Sequence, residues 1–123
     1  MGYIRHHAII VTSSGYDEAD AALKSVHAHS EVLGAVVTPI VDSKMNGHKS
    51  FMVCPDGSKE GWEDSAAGDA ARAAIIAYLR STQYEDGSGP LSWAEVQYGD
   101  DNRETIIVDH SDKRKAARKG GEK

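Results

Sequence analysis

The sequence has very little cysteine, proline or phenylalanine: one cysteine, three prolines and one phenylalanine among 123 residues. Because a single cysteine, Cys54, cannot form an intramolecular disulfide, the composition favours a reducing cytoplasm. No apolar run approaches the roughly 20 residues that span a bilayer, and no small-residue cleavage site follows the short apolar segment 8–11. We therefore expect a cytoplasmic protein without a membrane segment.

Basic residues are in the minority, and they are unevenly placed. The chain has 14 Lys and Arg against 19 Asp and Glu, which gives a formal net charge of −5. Six of the basic and two of the acidic residues fall in 112–123, so residues 1–111 carry a net −9. An acidic body disfavours nucleic acid as a partner, because that affinity depends on neutralising phosphates with Lys and Arg. Length and charge predict a single domain over 1–111 and a basic, disordered tail over 112–123.

Hydrophobic periodicity and turn residues divide the chain into strands and helices. Strands are predicted over 3–12, 36–44, 48–54, 93–98 and 104–110, and helices over 16–34 and from 64 or 65 to 81. Gly34 is expected to end the first helix in a left-handed conformation, and Asp64 or Ser65 to cap the second. The order resembles a βαββαβ ferredoxin-like sandwich. We predict an α+β fold with two helices on one face of a mainly antiparallel sheet and an added C-terminal strand.

Asn46-Gly47 marks a tight hairpin between the second and third strands. This dipeptide is favoured in two-residue hairpin turns because both central residues adopt positive φ angles. A two-residue loop would place Ile40 opposite Val53 in the ladder. Pro39 cannot donate a ladder hydrogen bond, so it indicates that this part of the chain lies at the edge of the sheet.

Six histidines raise the question of a metal site, but their spacing argues against one. His6 and His7 are adjacent in a predicted strand and point to opposite faces, and His27 and His29 do not face each other on a helix. No ligand pair has the spacing of a tetrahedral zinc site. We therefore predict no metal and no cofactor.

One short element is compatible with catalysis. His48-Lys49-Ser50 has the His-x-Ser pattern that two-histidine phosphodiesterases use twice, but a second copy is missing, so the acid and base pair is incomplete. Cys54 is too far from His48 for a hydrogen bond along an extended strand, and we expect a buried, inert thiol. A small hydrolase with a site near His48 and Cys54 is the lowest-ranked alternative.

The loop before the second helix combines an aromatic residue with charge. It contains Trp62, and the other residues that we assign to a candidate interaction site are Asp56, Lys59, Glu60, Glu63 and Asp64. Aromatic side chains beside charges are typical of protein interfaces. Trp93 lies in a predicted strand and is instead expected to pack in the core.

Three runs of the sequence resemble those of a known family: Met1 to His7, Pro55 to Trp62 with the following Gly68-Asp69, and Trp93 to Asp100. The family consists of small proteins encoded by phages of actinobacteria, and no activity is established for it. The resemblance implies an accessory protein of the host cytoplasm, in the size class that includes host-takeover and anti-defence factors. It supplies no catalytic residues.

Together these observations favour a non-enzymatic phage protein that binds a host protein through the loop that contains Trp62. An alternative of a different class is a small-molecule sponge for a nucleotide signal, with Lys49, Lys59, Arg72 and Arg103 as the available cations. The last predicted strand has an unprotected edge, so we also expect that a homodimer can form through it.

Overall fold

The structure is a computed structural model that describes residues 4–58, 61–99 and 104–112. In this part of the chain the elements follow the order β1 His6–Ser13, α1 Tyr16–His29, α2 Glu31–Gly34, β2 Val41–Asp42, β3 Lys49–Val53, α3 Glu63–Ser81, β4 Leu91–Tyr98 and β5 Ile106–His110. The α+β class predicted from the sequence is confirmed. The predicted basic tail lies, from residue 113 onward, outside the described residues.

The five strands form one antiparallel sheet with the order β2-β3-β1-β4-β5. β1 lies at its centre, where Ile9 is paired with Val53 of β3 on one side and Glu95 of β4 on the other. The β-branched residues of β1 suit a strand that has neighbours on both sides. β5 extends the sheet beyond β4, and the ladder between them is irregular at Glu95 and Val96.

One face of the sheet builds the core together with the helices. Alternate residues of β1, including Ile9 and Val11, are buried with Phe51 of β3 and Trp93 of β4. The three helices add to the same cluster the residues Ala22, Val26, Leu33, Ile75, Ile76 and Leu79. Ile10 points to the opposite face and is 44% exposed, as the two-residue period of a strand requires. The described helices therefore cover one face of the sheet.

The first predicted helix is broken at Ser30. α1 ends at His29, and Ser30 has an extended backbone before α2 begins. Ser30 Oγ accepts a hydrogen bond from the backbone N–H of Leu33 at 3.0 Å, so Ser30 is the N-cap of a new helix. The expected left-handed conformation of Gly34 is wrong, because Gly34 lies inside α2. Close packing explains the glycine: a Cβ atom there would lie 2.8 Å from Nδ1 of His27.

The Asn46-Gly47 hairpin is present, but its loop is longer than predicted. Asn46 and Gly47 have φ angles of 62° and 68°, as this turn requires. The backbone N–H of Ser43 donates to the carbonyl of His48 at 2.8 Å, which leaves four residues in the loop instead of two. The Ser43 side chain stabilises this wider loop, because its Oγ accepts a hydrogen bond from the His48 N–H at 3.1 Å.

The longer loop shifts the pairing of β2 along β3, so the predicted register is wrong. Val53 forms a bridge with Val37 instead of Ile40, and Val41 lies opposite Ser50. Pro39 lies between the two pairings and interrupts the ladder, because it has no N–H to donate. β2 is consequently only two residues long and lies at the edge of the sheet, as Pro39 predicts.

α3 is the longest helix of the described residues. It begins at Glu63 and ends, as predicted, at Ser81. Trp62 occupies the N-cap position, so the prediction that Asp64 or Ser65 caps the helix is wrong. None of the helices in the described part of the chain has the apolar length that a bilayer crossing requires.

Candidate functional site

A concave surface, which we call the Trp62 pocket, lies beside the beginning of α3. It has a volume of about 310 Å³ and is lined by Ser30, Val32, Asp56, Gly57, Ser58, Trp62, Ala67 and Gly68. The pocket therefore lies where α2, the loop after β3 and the first turns of α3 meet. Its volume falls at the lower end of the range typical of small-ligand and side-chain pockets, about 300–1,000 Å³.

Hydrogen bonds within the loop fix the conformation of Asp56. The backbone N–H and the hydroxyl of Ser58 both donate to Asp56 Oδ1, at 2.9 and 2.7 Å. Gly57, between them, has a φ of 81°, a left-handed value that glycine adopts without strain. The loop thus has a defined shape where it lines the Trp62 pocket.

Arg72 joins this loop to α3. The Arg72 side chain is 2% exposed; its Nη2 donates to Asp69 Oδ1 at 2.7 Å, and its Nη1 lies 3.6 Å from Asp56 Oδ2. Burial raises the pKa of Asp56, but the hydrogen bonds from Ser58 and the charge of Arg72 outweigh burial and hold that pKa below its ordinary value. Asp56 is therefore charged at neutral pH, and its attraction to Arg72 stabilises the loop against the helix.

Gly68 makes the close approach of loop and helix possible. A Cβ atom at this position would lie 2.6 Å from Asp56 Oδ2 and 3.3 Å from Arg72 Nη2. Any side chain at position 68 would therefore displace the loop or the guanidinium. The sequence run Gly68-Asp69 is explained by this packing: glycine gives the space, and Asp69 gives the second partner of Arg72.

Trp62 and Val32 give the Trp62 pocket its exposed apolar surface. Trp62 is 49% exposed and Val32 is 60% exposed, although both line the same depression. An aromatic side chain that is partly exposed beside a pocket is typical of residues that dominate the affinity of protein interfaces. Trp93, in contrast, is 4% exposed, which confirms that it packs in the core.

Two residues of the predicted interaction site, Asp56 and Trp62, are brought together in the Trp62 pocket. Glu63 is exposed and begins α3, with Asp64 following it in the helix. Lys59 and Glu60 lie outside the described residues. The contribution of Val32 was missed, because the sequence predicted one continuous helix there and gave no reason to expect the turn at Ser30.

The second concave surface, named here the polar cavity, lies between α3 and the strands β1, β4 and β5. It has a volume of about 410 Å³ and is lined by Arg5, His7, Asp69, Ala73, Ile76, Glu95, Gln97 and Asp109. Arg5 and His7 are 4% and 9% exposed. Charged and polar side chains thus occupy inward-facing positions of the sheet, where the rest of the core is apolar.

Arg5 has only neutral acceptors in the described part of the chain. Its Nη2 donates to the carbonyl of Glu104 at 2.6 Å and of Gln97 at 3.4 Å, and its Nε donates to Gln97 Oε1 at 3.4 Å. Its Nη1 is buried without a hydrogen-bond partner. A buried donor without a partner costs about 1–3 kcal/mol, so this nitrogen lowers the stability of the fold.

The three carboxylates of the polar cavity differ in their partners. Asp69 is paired with Arg72, and Asp109 accepts a hydrogen bond from Nη2 of Arg80 at 2.5 Å. Glu95 has no hydrogen bond or ion pair within the described residues. Burial raises the pKa of Glu95, with Asp109 and Asp69 adding to the effect while the charges of Arg72 and His7 oppose it.

A sequence signal for the polar cavity existed in the alternation of β4. Trp93, Glu95 and Gln97 share one face of the strand, and Trp93 was expected to face the core. Two polar residues on the core-facing positions therefore predict a polar interior at that end of the sheet. Arg5 could not be assigned to it in advance, because its partner Gln97 lies 92 residues away in the chain.

The other candidates do not form a site. His48 precedes β3 and Cys54 follows it, so the two lie at opposite ends of one strand, and Cys54 is partly buried. Of the four cations assigned to a nucleotide site, Lys49 is paired with Asp42 and Arg72 with two aspartates, and the other two lie outside the described residues. No three His, Cys, Asp or Glu side chains within residues 4–58, 61–99 and 104–112 are grouped as metal ligands.

Comparison of the chain with protein-family models, with curated proteins and with solved structures finds no match.

Proposed function

We propose that the protein is a non-enzymatic interaction module that binds a bacterial host protein through the Trp62 pocket. The observation that carries this proposal is the half-exposed Trp62 beside a pocket with a loop fixed by hydrogen bonds between Asp56 and Ser58. Because these bonds already fix residues 56–58, this segment loses little conformational entropy on binding, and more of the contact energy contributes to affinity. The phage origin and the host cytoplasm belong to the same proposal, and they rest on the resemblance to actinobacterial phage proteins.

The chemistry of the pocket supports a partner segment with an apolar side chain flanked by basic groups. Trp62 and Val32 supply apolar contact, and each is next in sequence to an exposed glutamate, Glu63 and Glu31. Residues 1–111 also carry a net charge of −9. Opposite charge on the partner would increase the association rate and select against acidic proteins.

A comparison of two exposed aromatic residues tests the proposal. Tyr84 is 64% exposed and lies outside the Trp62 pocket, so Tyr84→Ala is a matched control for Trp62→Ala. We expect Trp62→Ala to reduce recovery of the partner from host lysate at least about tenfold, which is about 1.4 kcal/mol, and Tyr84→Ala to leave it unchanged. Circular dichroism checks that both variants are folded. Equal recovery by wild type and both variants contradicts the proposal.

A photo-crosslinking residue placed at position 62 identifies the contact directly. Crosslinking in the host should give a discrete adduct from position 62 and none from position 84. Mass spectrometry of the adduct should then find a partner peptide that contains Lys or Arg beside an apolar residue. A discrete adduct from position 84 alone would place the interface elsewhere on the molecule.

We further propose that the fold is ferredoxin-like with one added strand. The support is the order of the elements: the sheet order β4-β1-β3-β2 has the first strand beside the third and the fourth, and helices follow β1 and β3, as in a βαββαβ sandwich. β5 is the addition, and it lies outside β4.

The outer edge of β5 is the proposed site of homodimer formation. Ile106, Ile107 and Val108 are 46%, 63% and 38% exposed, and an apolar edge strand readily pairs with a second copy. Light scattering measures the mass in solution. We expect a dimer at high concentration that Val108→Pro converts to a monomer, because proline removes a donor from the ladder. A monomer at every concentration excludes the dimer.

A further inference from the structure

The polar cavity has the features of a ligand site, and the interaction proposal does not use it. Its volume of about 410 Å³ lies within the range of small-molecule sites. Seven of its eight lining residues lie in β1, β4, β5 or α3, and Arg5 directly precedes β1. Sites built on regular elements keep their side chains in more precise positions than sites on loops.

Two charged side chains of the polar cavity form no ion pair within the described residues. Asp69 is paired with Arg72, which also faces Asp56, and Asp109 is paired with Arg80. Arg5 is the first of the two: its Nε and Nη2 donate to neutral oxygens, and its Nη1 has no hydrogen-bond partner. Glu95 is the second, and it has no hydrogen bond within the described residues. Within the described residues neither Arg5 nor Glu95 therefore forms an ion pair, although the charges of Arg72 and His7 act on Glu95.

The distance between these two residues restricts the shape of a ligand. Glu95 is paired with Ile9, and Arg5 lies four residues before Ile9, which is about 13 Å along an extended strand. Arg5, His7 and Ile9 alternate onto the same face of the sheet. The two charged groups form no ion pair within the described residues, so a ligand that contacts both of them has to be extended.

We propose that the polar cavity binds a small linear zwitterion, an ω-amino acid or a dipeptide, with its carboxylate on Arg5 and its ammonium group on Glu95. The carboxylate accepts a hydrogen bond from Arg5 Nη1, which removes the cost of a buried donor without a partner. Nη1 is also shielded from water, so the guanidinium turns on its side chain to reach the ligand. This movement exchanges the long hydrogen bonds of Arg5 to Gln97 for the bond to the ligand.

Three probes of one length test the proposal: 5-aminopentanoic acid, pentanoic acid and pentylamine. The first has both charges, and each of the others lacks one. Titration calorimetry and backbone amide shifts measure binding to the full-length chain. We expect the zwitterion to bind at least about tenfold more tightly than either single-charge analogue, with shifts at His7, Glu95 and Gln97. Glycylglycine serves as the dipeptide probe.

Two substitutions separate the roles of the charged residues. Glu95→Gln keeps the size of a half-buried side chain, and it should weaken the zwitterion about tenfold while leaving pentanoic acid unchanged. Glu85→Gln, at an exposed position, is the control and should change nothing. The proposal is overturned if 5-aminopentanoic acid and glycylglycine both fail to bind at millimolar concentration, or if pentanoic acid binds as tightly as the zwitterion. Neither result depends on whether a host protein binds at Trp62.

Discussion

Arg72 and Asp56 approach each other across Gly68, with 3.6 Å between Arg72 Nη1 and Asp56 Oδ2. The two residues come from different elements, a loop and the middle of α3, and both are almost inaccessible to solvent. This contact holds one wall of the Trp62 pocket in place. The shape of the pocket thus depends on residues that a binding partner would not touch.

Gly68→Ala should destabilise the protein although alanine is the better helix former. The added Cβ atom would meet Asp56 Oδ2 at 2.6 Å, and overpacking of this kind costs about 1–3 kcal/mol, against a gain in helix propensity of about 1 kcal/mol. Urea denaturation measures the free energy of unfolding. In an Asp56→Ala background, Gly68→Ala should lower the free energy of unfolding by less than it does in wild type, because the clashing oxygen is absent. A Gly68→Ala protein more stable than wild type refutes the prediction.

Asp56→Asn should lower stability at neutral pH and matter little in acid. The pKa of Asp56 is held below its ordinary value, so the folded state binds fewer protons than the unfolded state at this position. Its contribution is complete above the unfolded pKa of about 3.9 and is lost as the pH falls through the folded pKa. Denaturation at neutral pH should show that the free energy of unfolding is about 1–3 kcal/mol lower than in wild type. This difference should become smaller towards pH 2. Asp42→Asn, at a largely exposed carboxylate, is the control and should show a smaller loss.

Glu95→Gln should have the opposite dependence on pH. Burial raises the pKa of Glu95, so the folded state holds this proton more tightly than the unfolded state does. Its stabilising contribution is present below the unfolded pKa of about 4.3 and is lost as the pH rises through the folded pKa. Glu95→Gln should therefore match wild type in acid and be the more stable protein at neutral pH. Thermal unfolding across this range is the measurement, and a variant less stable than wild type at neutral pH contradicts the assignment.

Arg80→Ala should loosen the contact between α3 and the last two strands. Arg80 donates to Asp109 of β5 and lies with its guanidinium 5.0 Å from the centre of the Trp93 ring of β4. Loss of a charged hydrogen bond and of a cation–π contact should cost about 1–3 kcal/mol. Arg80→Lys keeps the charge and should lose less. In a Trp62→Phe background Trp93 is the sole tryptophan, so its emission should shift to longer wavelength as water reaches it. Unchanged emission and melting temperature would show that the contact is dispensable.

The elements that were predicted correctly are those with local signals. The run of β-branched residues in β1 and the regular apolar stripe of α3 each identify an element without knowledge of its neighbours. The predicted register of the hairpin is wrong because the Ser43 side chain accepts a hydrogen bond from the His48 N–H. The Asn46-Gly47 pair alone does not reveal this wider loop. The break at Ser30 was not predicted for a similar reason, since a serine inside an apolar pattern is compatible with both a helix interior and a new N-cap.

Of the two candidate sites, the one formed by residues close in sequence was predicted and the one formed by distant residues was not. Trp62 and Asp56 lie close in sequence, so composition alone identified the loop that forms one wall of the Trp62 pocket. The polar cavity combines Arg5 near the beginning of the sheet with Gln97 near its end, a separation of 92 residues. Nothing in either local sequence predicts that combination, because the pairing of β1 with β4 creates it.

The central position of β1 has a consequence for synthesis of the chain. β1 is the first strand of the fold, but it is paired with β3 and β4, and β4 ends only at Tyr98. At about 5–20 residues per second, the ribosome needs roughly 4–17 s to proceed from the end of β1 to the end of β4. Ile9 and Val11 lack both neighbouring strands until β3 has been made, and they lack β4 for the rest of that time. We therefore expect the nascent chain to be a client of ribosome-associated chaperones until β4 has emerged.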